Sequence, residues 1–170
     1  AINLGRTLFQ LARWDIVARH VAAALFYLAA TTVMGSLMAL NKVVPILGVD
    51  ALRMIFAHAH LVGIGWVSMM ILGVGYKLIP MFSLGELGDE RIARWQFRLI
   101  NAGLIGLVVS LLAGSRLALP FALAIAAAIG LFLWKMIAIL RASRRPRLDW
   151  GLWHAVSALG YLAVLTPGGL

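Results

Sequence analysis

Residues Phe56–Pro80 read FAHAHLVGIGWVSMMILGVGYKLIP, an apolar stretch that opens with two histidines, His58 and His60, two positions apart. A hydrocarbon core ~30 Å thick takes about 20 helical residues to cross, so this stretch can span one. An imidazole in such a segment is costly unless paired, which marks both rings as functional candidates. Gly63, Gly65, Gly73 and Gly75 strip bulk from the same helix and let another helix or a flat ligand come close.

The rest of the chain matches this segment in kind. Of 170 residues, 63% are hydrophobic and 12% charged, against about 45–50% and about 25% in soluble domains. The expected fold is therefore an all-α integral membrane bundle. Its long spans run from about Asp15 to Leu40, Ala51 to Met81, Ile92 to Ala113 and Leu117 to Leu140, with a shorter fifth from about Gly151 to Leu165. Together they form one transmembrane domain over residues 1–170. Ahead of the first span, Leu4, Leu8 and Leu11 recur at helical spacing with Arg6 and Arg13 between them. That is the pattern of an interfacial helix over residues 1–14. Asp50 is placed to cap the second span, Asp89 and Glu90 to open the third, and "GSR" to turn the chain tightly into the fourth. The first residue is not Met, and no signal-peptide pattern precedes the first span.

Charge sorts by face. With alternating spans, twelve of the fifteen basic residues fall on the side of the N-terminus: Arg6, Arg13, Arg19, Lys77, Arg91, Arg94, Arg98, Lys135, Arg141, Arg144, Arg145 and Arg147. Lys42, Arg53 and Arg116 fall on the other. The positive-inside rule then puts the N-terminus of this multi-pass protein in the cytoplasm. The basic loops suit anionic headgroups, and lipid rather than nucleic acid is the expected partner. The chain has no cysteine. Thiolate and iron–sulfur chemistry are thereby excluded within it, and histidine is left as its strong metal or haem ligand.

Residues two apart on a helix point about 200° from each other, so His58 and His60 cannot grip one ion between them. Each ring must serve a different neighbour. In an unbroken α-helix, His60 shares a stripe with Ile64, Val67 and Ile71, and His58 with Val62, Gly65 and Met69. Both lie roughly 9–12 Å below the outer boundary. Met54, Met69, Met70 and Met81 read as packing. His20 and His154 lie level with each other near the cytoplasmic face, which leaves a metal or haem site between them as a minor alternative to interfacial contacts with water or backbone.

His-x-His, then "LVGIGWV", then "GVGYKLIPMF", resembles the tenth transmembrane helix of the haem–copper oxidase catalytic subunit. The cbb-type oxidases and bacterial nitric oxide reductases are nearest in flavour. The resemblance implies that His58 is the proximal ligand of the high-spin haem and His60 an axial ligand of the low-spin haem. Trp66 and Pro80 also stand where family members commonly carry them. The family builds three arcs of four helices, with the matching helix second in its arc, as here. Its propionate-holding arginines lie in the loop between the next two helices, which makes Arg116, with Arg53 a turn outward of the histidines, the propionate candidates. Anchoring to lipid headgroups is the competing role for both.

The departures limit the expectation. The family's copper-ligating histidines lie on other helices, so copper is not supported by this chain alone. Tyr27, Tyr76 and Tyr161 do not fall in the family's histidine–tyrosine pattern, and oxygen reduction by this chain alone is not supported. Three copies in place of three arcs would set His58 of one chain opposite His60 of the next. The favoured reading is thus a membrane protein carrying b-type haem, transferring electrons through bis-His sites in a homotrimer, or binding a small gas at an open axial position. The alternatives are a subunit of a larger respiratory or nitrogen-oxide-reducing complex whose partner completes the site, and a cofactor-free transporter or assembly factor.

Overall fold

Four helices long and apolar enough to cross a membrane build the molecule, with a fifth beside them. The computed structural model describes residues 14–143 and 150–168. The helices are α1 (Ile16–Val43), α2 (Ala51–Ser83), α3 (Arg91–Ala113), α4 (Ala118–Arg141) and α5 (Trp150–Gly168). No strand occurs among the described residues. The chain is an all-α, multi-pass membrane protein, as its composition requires. The interfacial helix expected over residues 1–14 lies outside the described residues, apart from Trp14.

Each helix boundary has a local cause. The Asp15 carboxylate accepts from the Ala18 amide at 2.8 Å and starts α1. Asp50 accepts from the Leu52 and Arg53 amides at 3.0 and 3.2 Å and starts α2, two of the orphan donors that a helix N-terminus leaves. At the start of α3, Asp89 and Glu90 sit among Arg91 and Arg94, with Arg94 3.5 Å from Glu90 one turn back. Gly114 ends α3 at φ 65° and lets the chain reverse within a few residues into α4. Leu84 ends α2 in the same left-handed region, at φ 51°, without glycine's freedom.

The core runs along the α1–α2–α3–α4 contacts. α3 and α4 form the most extensive pair, and Gly106 lies directly under the ring of Phe121. Small residues permit such approach where lipid offers no hydrophobic drive between helices. α1 packs along the middle and lower parts of α2, the upper part of α2 packs on α3, and α5 packs on α4 and α2.

α2 is not one regular helix. It is α-helical over Ala51–His60, a π-helix over Leu61–Ser68 and α-helical again over Met69–Ser83. The wide turn begins immediately after the second histidine and takes in Gly63 and Gly65. The Ser68 hydroxyl donates to the Gly63 carbonyl five residues back, at 2.8 Å. A π segment rotates everything beyond it relative to a straight α-helix. From Met54 to Tyr76 the buried positions run Met54, Ala57, Leu61, Gly65, Met69, Leu72, Gly73 and Tyr76, with four-residue steps from Ala57 to Met69 through the π segment.

Candidate functional site

His58 and His60 both precede the wide turn, so their divergence follows the ordinary helical angle. The His58 ring lies against Gly35 of α1: a Cβ added there would sit 3.2 Å from its Cε1 and 3.9 Å from its Nδ1. The Nδ1 atom is buried without a hydrogen-bond partner among the described residues. His60 faces away from that contact. Ile64 is half-buried on its side of the helix, and Val67 and Ile71 are exposed.

The His60 ring is set by its own backbone. Its Nδ1–H donates to the Phe56 carbonyl at 2.7 Å. The carbonyl can only accept, so the proton resides on Nδ1 and the neutral ring keeps a lone pair on Nε2. This is the arrangement by which a metal-binding histidine is held in one tautomer. A Cβ on Gly63, the next turn along, would meet open space. The other glycines of α2 are used within the bundle. Gly65 receives the ring of Tyr27, Gly73 the Cβ of His20, and Gly75 the ring of Phe132.

Arg53 and the turn that carries Arg116 meet at the end of the molecule nearer His58 and His60. The Arg53 guanidinium lies directly against Gly114, at the C-terminal end of α3 and two residues before Arg116. A cation there faces the negative end of the helix dipole. Arg116 is exposed. The α2–α3 packing thus joins the start of the histidine helix to the turn that carries the second arginine.

His20 and His154 are not brought together. His20 is fully buried in α1, whereas His154 is exposed on α5, a helix that touches α2 and α4 but not α1. The His20 Nδ1–H donates to the Ile16 carbonyl at 2.8 Å, and its Nε2 lies 3.0 Å from the side-chain amide of Gln96. The Tyr76 hydroxyl reaches the same amide at 3.3 Å. Whichever way that amide is turned, one of its ends meets His20 and Tyr76. The other stays buried without a partner among the described residues. A second polar pair lies further along α1. The Tyr27 hydroxyl donates to Asn101 Oδ1 at 2.8 Å, and Asn101 Nδ2 donates to the Phe97 carbonyl at 2.7 Å.

Gln96 and Asn101 were not singled out from the sequence. Their signal was present: side-chain amides in an apolar span almost always face the bundle interior. What they face depends on which helix packs beside them, and that is a tertiary fact.

Residues 2–120 match the family model described as Cytochrome C and Quinol oxidase polypeptide I. The match takes in α1, α2, α3 and the turn carrying Arg116, hence both histidines and both arginines. No curated protein and no solved structure matches the chain.

Proposed function

Since the chain belongs to the cytochrome c and quinol oxidase polypeptide I family, we propose that it is a haem protein in which His58 and His60 are axial ligands to two different haems. The observation that carries this reading is the His60 ring, fixed by Phe56 so that its Nε2 lone pair is free on the face where Gly63 leaves open space. A flat macrocycle needs both a lone pair and a bare backbone beside it. His58 supports the same reading from the opposite side of the helix, half-buried against Gly35 with Nδ1 unpartnered.

The chain holds four histidines, and His20 and His154 do not lie opposite either ring. The second axial ligand of each haem therefore comes from outside this helix bundle. In the arrangement we favour it is the other histidine of a neighbouring copy, three copies closing a ring. Arg53 and Arg116 would hold the anionic propionates by charge-assisted hydrogen bonds. The haem, b-type in this reading, supplies reversible one-electron chemistry when bound. The chain orients the two rings, holds the Nδ1 proton of His60 at Phe56, and keeps the sites within the membrane. Lys42, Arg53 and Arg116 face the non-cytoplasmic side of a bacterial inner membrane in this topology.

The test is complementation. His58→Ala and His60→Ala chains are expected each to lose the low-spin absorption spectrum, and co-expression of the two is expected to restore part of it. A mixed ring has interfaces at which both intact rings meet. If either single variant keeps a full low-spin haem, the shared site is refuted. If co-expression restores nothing but a partner protein does, the second ligand belongs to a larger complex.

A further inference from the structure

Lys77 has no part in the site described above. It is exposed on α2, six residues short of the helix end at Ser83, and so about 9 Å inside the span at ~1.5 Å rise per residue. An ammonium at that depth is unfavourable unless it reaches the interface or finds a counter-charge. None of the ion pairs among the described residues includes it.

Lys77 instead lines a cleft of about 360 Å³, together with Asp15 at the start of α1 and Glu90 at the start of α3. That volume falls in the range of ~300–1,000 Å³ usual for ligand clefts. Val17, Pro80 and Leu87 supply an apolar wall. Each carboxylate has one oxygen uncommitted. Asp15 Oδ1 accepts from the Ala18 amide, and Glu90 Oε2 meets Arg94 at 3.5 Å. Asp15 Oδ2 and Glu90 Oε1 have no partner among the described residues.

The cleft lies at the depth of lipid headgroups. Trp14 stands next to Asp15, Trp95 follows Glu90 on α3, and Trp150 opens α5 at the same end of the bundle. They are 46%, 59% and 83% exposed, and exposed tryptophans of a membrane protein gather at the membrane–water interface. A ligand that matches this lining carries an anion for Lys77, a cation rich in N–H donors for the two carboxylates, and an apolar body for the wall.

We infer that the cleft is a binding site for phosphatidylethanolamine. Its phosphate takes Lys77, its ammonium donates to Asp15 and Glu90, and its glycerol and acyl chains lie along Val17 and Pro80. Charge-assisted hydrogen bonds of this kind are the strong ones. Phosphatidylcholine offers the same two charges, but its quaternary nitrogen has no N–H and leaves both carboxylates without a donor. Phosphatidylglycerol has a phosphate for Lys77 and no cation for the carboxylates. The basic loops favour anionic lipid in general, whereas this cleft selects by the amine. The inference does not depend on haem.

Native mass spectrometry of the full chain tests it, with the protein released from nanodiscs of equimolar phosphatidylethanolamine, phosphatidylcholine and phosphatidylglycerol bearing identical acyl chains. Phosphatidylethanolamine is expected to be retained several-fold over each of the others. When its N-methyl and N,N-dimethyl analogues replace it, retention is expected to fall stepwise as each methyl removes a donor. That arm uses the unaltered protein. Asp15→Asn preserves a capping side chain for α1, and combined with Glu90→Gln it is expected to abolish the preference over phosphatidylcholine. Lys77→Met is expected to lower phosphatidylethanolamine retention several-fold, and Lys42→Met, at the other end of α1, to leave it unchanged. Equal retention of phosphatidylcholine or of phosphatidylglycerol by the unaltered protein would overturn the inference, as would a preference that survives the double variant. A protein that is colourless from haem-replete cells yet retains phosphatidylethanolamine selectively would refute the haem reading and leave this site standing.

Discussion

Gly63 and Gly65 sit two apart in the π segment of α2, and replacing each by alanine should have opposite effects. A Cβ at Gly63 meets nothing. Alanine there gains the usual advantage over glycine in a helix, about 1 kcal/mol, from the smaller conformational entropy lost on folding. A Cβ at Gly65 would lie 2.7 and 2.8 Å from Cγ and Cβ of Tyr27 and 3.0 Å from Cδ2 of Leu104. Tyr27 cannot swing away freely, because its hydroxyl is held by Asn101 at 2.8 Å. Overpacking of this kind costs about 1–3 kcal/mol. Setting that against the same gain of about 1 kcal/mol leaves Gly65→Ala between neutral and about 2 kcal/mol destabilised. The two variants should therefore differ by about 1–3 kcal/mol, with Gly63→Ala the more stable. Thermal unfolding in one detergent, followed by loss of helical circular dichroism, measures the difference. Equal shifts in the same direction would show that α1 does not seat Tyr27 on Gly65, and the α1–α2 packing described above would be wrong.

Leu84→Gly should stabilise the chain by roughly 1 kcal/mol in the same assay, because it relieves a left-handed residue at the end of α2 that is already largely exposed. On the haem reading, Arg116→Leu should lower haem occupancy or move the midpoint potential downward in a redox titration. Losing a positive charge disfavours the reduced, more electron-rich group. Unchanged occupancy and potential would leave Arg116 as a headgroup anchor. In intact cells, a cysteine placed in the basic stretch holding Arg144, Arg145 and Arg147 should resist an impermeant thiol reagent, and one beside Lys42 should react. The reverse pattern would invert the topology.

The class of protein and the number of long spans were legible in the sequence because a membrane imposes them through length and apolarity alone. The helix starts at Asp50 and Asp89–Glu90 were legible too, since a cap acts on backbone within its own turn. So was the divergence of His58 and His60, a property of two residues on one helix. The irregularity of α2 was not. Periodicity projected an unbroken α-helix, and the structure widens it to a π turn over Leu61–Ser68. Nor could spacing show that His20 would be taken up by Gln96, a partner 76 residues away, instead of facing His154. The placing of Arg53 on Gly114 likewise joins two helices. Contacts of this kind depend on which faces of α1, α2 and α3 meet, and in lipid that choice is made by close packing of small residues and by polar groups seeking partners. Only the assembled bundle carries that information.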